Sequence, residues 1–326
     1  MYTITGAPLE GAWLEKLKQF LTASGLRYDA GIRFSVLLVD GDAIAATGSL
    51  DGNTLKCIAV SPLYQGEDLT ARIMTVLLQE ASDRGIRHLM LYTKPRNQYL
   101  FSSFGFHSII RTADCLLMEN KRNGLADFLA SIEKPAQTEG PVGCIVANCN
   151  PFTKGHRYLI EQAARECAHV HVFILSEDRG MFTPEERLLM AREGCRDLPN
   201  VSVHPSGPYM VSAATFPTYF IKDPSRADDI FCEADLRLFG EKIAPALSVT
   251  RRYVGSEPHS PVTRRYNEEM HKLLPIFGID VIEIERITHG GDFISASRVR
   301  ALMETAPDTD LSALLPESSR RIICKQ

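Results

Sequence analysis

The chain has no C-x-x-C pair, no internal repeat, no low-complexity tract and no apolar run of about 18 residues or more. Its eight cysteines are spread over 326 residues, the nearest two being Cys144 and Cys149, too dilute for a disulfide scaffold. A reducing, cytoplasmic setting is therefore expected. The start, MYTITGAPLEGAWLEKLKQF, lacks a basic stretch followed by an apolar one, so neither export nor a membrane span is expected. Positive charge is not in excess either: 36 Lys+Arg face 40 Asp+Glu, a net charge of −4, which excludes the chain-wide basic field that nucleic acid or an anionic membrane would need. His169 and His171 alternate on a strand, but no third ligand stands at metal spacing, so no metal site is expected there.

What is present is an ordinary globular composition, 44% hydrophobic and 23% charged, long enough for two domains. The polar, proline-bearing stretch Ser131 to Pro141 reads as a linker, with one domain over 1–134 and another over 135–326. Before it, a helix at Leu9 to Leu21 precedes three extended runs, Ile32 to Val39, Ala43 to Leu50 and Leu55 to Val60, which read as an antiparallel meander. A helix over Leu69 to Arg84, a strand at His88 to Tyr92 and two closing strands between Phe106 and Met118 complete an α+β module. After the linker, strand and helix alternate from Val142 onward, a rhythm that implies parallel strands with crossover helices.

The stretch VGCIVANCNPFTKGHRYLIEQAA, Val142 to Ala164, runs from a strand through Asn148, Asn150 and Phe152 into a helix opening at Thr153-Lys154-Gly155-His156. A glycine there lets backbone approach closely, and the first amides of a helix have no internal partners and favour negative charge, so a phosphate suits the position. His156, in the first turn, can add an N–H. Far along the chain, Ile294-Ser295-Ala296-Ser297-Arg298-Val299-Arg300 offers Ser295 and Ser297 as helix-start residues and Arg300 one turn on, with a fixed fork of donors. Between them, Gly255 and Glu257 lie in the strand-to-turn segment Tyr253 to Pro258. From spacing alone, Glu257 is either an acceptor from ribose or an exocyclic amine, or a solvated turn residue. Arg187, in the helix start Thr183 to Arg187, is either a phosphate contact or solvated surface. The apolar segment Ser212 to Lys222 ends in a lysine and could line a small acid pocket.

The Thr153-Lys154-Gly155-His156 and Ile294-to-Arg300 segments resemble the T/H-x-G-H and I-S-x-[ST]-x-x-R signatures of the nucleotidyltransferase superfamily, in the order found there. With VGSEPHSPVTRRYNEEM and the Ser212 to Lys222 block, the whole chain resembles the citrate lyase ligase family. That resemblance implies an α/β chain in which an acetyltransferase-like (GNAT-like) α+β domain precedes a Rossmann-like parallel-sheet nucleotidyltransferase domain. It implies ATP with Mg²⁺, acetate as the activated acid, and as partner the citrate lyase acyl carrier protein with its phosphoribosyl-dephospho-CoA thiol. It also implies catalytic roles for His156, Thr153, Arg300 and Lys222, and nucleotide contacts from Asn148, Asn150, Phe152, Gly155, Arg187, Gly255, Glu257, Ile294, Ser295 and Ser297. Two rivals follow from the same signatures: adenylyl transfer to a phosphate acceptor such as phosphopantetheine, and a non-catalytic nucleotide-binding regulator.

The N-terminal resemblance departs from its pattern. GNAT enzymes hold a diphosphate on a Q/R-x-x-G-x-G/A loop, and here Gln65 and Gly66 are followed by Asp68 and Thr70. A carboxylate and a β-branched side chain stand where amides would meet phosphate, so acetyl-CoA in the usual pose is not expected.

Overall fold

A computed structural model describes residues 1–29, 31–134, 139–177, 180–212, 215–257 and 260–324. The expected domain boundary at 134/135 touches residues outside this description, as do Ala213, Ala214, Pro258 and His259 of the segments singled out above. The chain divides into two units, one of Met1–Ala126 with Phe216–Ala234, the other of Asp127–Thr215 with Asp235–Gln326. The stretch from Phe216 thus leaves the strand and helix alternation around it and belongs with the N-terminal unit.

That first unit is built on a seven-stranded sheet. Strands β1 (Tyr2–Gly6), β2 (Phe34–Asp40), β3 (Ala43–Asp51) and β4 (Thr54–Val60) pair antiparallel in sequence order, with helix α1 (Gly11–Ala23) between the first two. Helix α2 (Leu69–Asp83) covers them with Ile73, Met74, Leu77 and Ala81. Gly48 permits this contact, since a Cβ there would lie 2.5 Å from Ile73 Cγ2 and 2.8 Å from Leu77 Cδ1. Strand β5 (Met90–Thr93) runs parallel to β4, but the ladder is only Thr54 to Met90 and Leu55 to Leu91. Beyond it the unit uses its second chain segment: the Tyr219 hydroxyl donates to the Tyr92 carbonyl, and the Arg27 amide donates to the Tyr219 carbonyl at 2.9 Å. The short helix α3 (Gln98–Ser102), β6 (His107–Arg111) and β7 (Leu116–Glu119) close the sheet, and α4 (Gly124–Ser131) leads out.

The second unit holds five parallel strands: β8 (Val142–Ala147), β9 (His169–Ile174), β10 (Val201–Pro205), β11 (Arg251–Gly255) and β12 (Asp280–Ile284). Their spatial order is β10-β9-β8-β11-β12. Helices α5 (Lys154–Glu166) and α6 (Pro184–Gly194) follow β8 and β9; α7 (Ala227–Leu238), whose residues up to Ala234 belong to the first unit, runs through a π turn into α8 (Ala244–Ala246) before β11. Then come α9 (Pro261–Leu273), the β13 (Thr288–His289) and β14 (Asp292–Phe293) hairpin, α10 (Ala296–Thr305) and α11 (Glu317–Ile323). The central strands β8 and β9 are apolar and buried along most of their length, as strands covered on both faces of a parallel sheet are, whereas β12 at the edge exposes Asp280 and Glu283. Because the chain winds one way from β8 to β10 and the other way from β11 to β12, the order reverses between β8 and β11, and in such sheets ligands bind outside the strand carboxyl ends at that reversal. The expected α/β class is the one found. Among the described residues, no helix is long and apolar enough to cross a membrane.

The strands β9 and β10 also bury three histidines, His169, His171 and His204, with the His169 and His171 rings 4.6 Å apart and His171 Nδ1 3.4 Å from His204 Nε2. Among the described residues no group of three or more His, Cys, Asp or Glu could hold a metal. Burial first, and then the neighbouring histidines, lower the His171 pKa to about 3; burial, then Arg192, lower that of His204 to about 4. Above pH ~6.5 both folded and unfolded chains keep these rings neutral. Below it, only the unfolded chain takes up protons, so stability is lost as pH falls towards 4, by up to about 1.4 kcal/mol per pH unit for each ring kept neutral. Urea midpoints measured from pH 7.5 to 4.5 will fall along this course, and His171→Leu will flatten it. An unchanged slope in that variant would contradict the assignment.

Candidate functional site

The carboxyl end of β8 turns through Asn148-Cys149-Asn150-Pro151-Phe152. Arg187 on α6 is buried and so is not solvated surface; one guanidinium nitrogen donates to the Asn148 carbonyl at 3.0 Å and to its side-chain oxygen, and the other to the Glu177 carbonyl. The side chain of Asn150 accepts from the Phe182 amide at 3.1 Å. Phe152 is fully buried against Gly194, where a Cβ would come within 2.4 Å of its ring. Its carbonyl accepts from the Ser319 hydroxyl at 2.6 Å. Asn150, Phe152 and Arg187 brace the turn from inside, and the exposed Asn148 is held by Arg187. Cys149 is buried at a positive φ of 51°, and burial pushes its thiol well above the ordinary range, which fits packing and not nucleophilic catalysis.

Helix α5 opens from this turn. Thr153 is its N-cap, its hydroxyl accepting from the His156 amide at 3.4 Å, while His156 Nδ1 accepts from the Thr153 amide at 3.0 Å. This reciprocal cap uses histidine where glutamate is commonest. It also fixes the tautomer: with Nδ1 accepting from a backbone N–H, the ring proton sits on Nε2. The ring is stacked on Phe152, centroids 5.9 Å apart. Burial first, and the positive charge of Arg286 second, lower its pKa to about 4. At neutral pH, His156 is a neutral N–H donor, held at Nδ1 by the cap and on its face by Phe152.

Gly155 joins the two distant signatures. A Cβ there would lie 2.6 Å from the Ile294 carbonyl oxygen, a backbone atom that cannot swing aside. Ile294 is buried, and the following Ser295 caps α10 by accepting from the Arg298 amide at 3.2 Å. One turn into α10, Arg300 donates to the Asn150 carbonyl and, at 3.3 Å, to the Ser297 hydroxyl. Thr153, Gly155, His156, Ile294, Ser295, Ser297 and Arg300 therefore meet at the end of β8. Substituting Gly155→Ala should cost about 1–3 kcal/mol by overpacking, read as a lowered denaturation midpoint, because backbone has to move. A variant as stable as the parent would show that the approach is looser.

Across the reversal, Gly255 ends β11, its carbonyl accepting from Asn267 at 3.1 Å. Glu257 is not a solvated turn residue: one carboxylate oxygen accepts from Arg286 and the other from the Ser260 amide at 3.1 Å. Arg286 also donates to the Ser256 carbonyl. Arg286 was not anticipated from sequence; the signal that could have found it is its place just past β12, the strand beside β11 at the reversal. Next to it, a pocket of about 380 Å³ is lined by Ser256, Glu257, Asn267, His271 and Phe293 among others. Lys222 belongs to the first unit and lines a pocket there with Lys94 and Arg96.

Compared with known proteins, residues 142–323 match the family model for the citrate lyase ligase C-terminal domain. The chain is 39% identical over 307 residues to the [Citrate [pro-3S]-lyase] ligase of Klebsiella pneumoniae, covering 93% of this chain and 90% of that one. A phosphopantetheine adenylyltransferase of Staphylococcus carnosus is 37% identical over 62 residues, 18% of this chain and 38% of its own. Among solved structures, a GNAT-family acetyltransferase from Staphylococcus aureus aligns with 37% of this chain and all of its own length, at 16% identity and a TM-score of 0.31.

Proposed function

The chain belongs to the citrate lyase ligase family, and from that premise we propose that it is an ATP-dependent ligase that acetylates the thiol of the prosthetic group on the citrate lyase acyl carrier protein. One observation carries the assignment of the site: His156 and Arg300, from signatures more than a hundred residues apart, both attach to the turn at the end of β8, where the strand order reverses. ATP is placed with its phosphates against the α5 amides, the Thr153 hydroxyl, His156 Nε2–H and Arg300, and its adenosine towards Gly255 and Glu257. Ser295 and Ser297 present the start of α10 to the same phosphates.

Acetate is already ionised at neutral pH and needs no base. Its carboxylate oxygen bonds to the α-phosphorus as the bond from that phosphorus to the bridging oxygen breaks, the electron pair leaving with diphosphate. The carrier thiolate then attacks the acetyl carbonyl, the bond to AMP breaks, and the thiol proton goes to solvent. The difficulty in the first step is charge, an anion approaching a triphosphate. A neutral imidazole N–H, a guanidinium fork and unpaired helix amides answer it by holding donors in place for charge developing on phosphate oxygens. Mg²⁺ would arrive with the nucleotide as part of the substrate and would neutralise its phosphates. Prosthetic-group-bearing carrier incubated with ATP and acetate should gain one acetyl group by intact mass, with free AMP and diphosphate formed in step. AMP found attached to the acceptor would favour adenylyl transfer instead.

A further inference from the structure

The first unit carries a pocket of about 490 Å³ at the carboxyl end of β5. Its walls are Lys94 and Arg96 after that strand, Asp114 in the β6–β7 turn, and Lys222, Asp223 and Arg226 from the second chain segment, over an apolar floor that includes Phe220 and Ile221. Four cations face two carboxylates, and both carboxylates are committed. Asp114 pairs with Arg226 at 2.7 Å, and Asp223 caps a short 3₁₀ turn by accepting from the Ser225 amide and hydroxyl at 3.0 and 2.7 Å. Lys94, Arg96 and Lys222 have no ion-pair partner among the described residues. Their mutual proximity is felt: partial burial first, then the charges of Arg96 and Lys222, push the Lys94 ammonium below its ordinary range. The Lys222 side chain runs past Gly25, just beyond α1, where a Cβ would stand 3.7 Å from its Cε.

Like charges crowded round a concave surface, on a chain whose net charge is −4, are unfavourable without a counter-anion. The pocket is large enough for a drug-sized ligand, and its apolar floor asks for more than an ion. We propose that this pocket is a second anion site, which takes a phosphate-bearing group on an uncharged stem. A CoA-type group has this chemistry. It could arrive free, or on the carrier's prosthetic arm; only the second source rests on the function proposed above. None of Gln65, Gly66, Asp68 or Thr70 lines the pocket, so the site is separate from the loop that leads into α2.

The test uses the full chain and a Lys94→Gln/Arg96→Gln variant, with Arg96→Glu as a second variant should the first fold poorly. Free CoA is titrated calorimetrically with the nucleotide cleft filled by a non-hydrolysable ATP analogue, and KM for the prosthetic-group-bearing carrier is measured alongside. The expected result is at least a tenfold loss of CoA affinity, a tenfold rise in carrier KM, or both, with ATP–diphosphate exchange unchanged. Loss of CoA binding alone assigns a free ligand; a KM rise alone assigns the tethered arm. Unchanged CoA titrations together with unchanged carrier KM overturn the proposal. Failure of the ligase reading would show separately, as absent acetate-dependent exchange in the parent chain, and the CoA titration would still decide the pocket.

Discussion

His156→Ala will lower acetate-dependent exchange of labelled diphosphate into ATP by about 10²- to 10³-fold, the usual cost of removing one preorganised donor from a charge-stabilising site. The geometry adds a sharper expectation. With its pKa at about 4, His156 keeps one protonation state from pH 6 to pH 8, so the ratio of parent to variant rates will be the same at both ends of that range. A histidine at its ordinary value near 6.5 would instead make the ratio drift as the ring titrated. His156→Gln, which can return an amide N–H to the region of Nε2, is expected to recover part of the loss, whereas a role as proton carrier would leave it as poor as alanine. Robust exchange in His156→Ala would remove the residue from the mechanism. Because Nδ1 also closes the α5 cap, the alanine variant should lose about 0.5–2 kcal/mol of stability as well, and rates must be compared where both proteins are folded.

Why this pair of signatures was legible in sequence follows from what each residue does locally. Thr153 and Ser295 are caps, satisfying amides within three residues, and Gly155 is needed for a close approach; such roles depend on short stretches and leave marks there. The alternation after Val142 likewise announced a parallel sheet. Residues whose role depends on distant partners were opaque. Arg187 was open in sequence between a phosphate contact and solvated surface, and its burial, supported by carbonyls on two other turns, shows only in the fold. Arg286 gained meaning only when β12 was seen to lie beside β11. The membership of Phe216 to Ala234 in the first unit could not be read from a strand and helix rhythm at all, since it rests on contacts such as Tyr219 with Tyr92, 127 positions apart. The short strand β1 and the helix α11 were likewise missed, each too brief to show a period.

Arg300→Ala will cost about as much as His156→Ala, 10²- to 10³-fold in exchange, and Arg300→Lys will recover only a minor share. Lysine keeps the charge, but Arg300 uses its fork, one nitrogen on the Asn150 carbonyl and the other on Ser297, and a single ammonium cannot hold both. The decisive measurement is the double variant. If the two side chains grip the same phosphates from one turn, removing either already spoils the geometry on which the other depends, as Arg300 anchors the very turn that ends in the Thr153 cap. The combined loss will then fall well short of the product of the single losses, because residues that act as a unit are strongly non-additive. Full multiplication of the two effects would mean independent contributions, and the single cleft built from Gly155 against Ile294 would lose its functional meaning even if the contact itself stood.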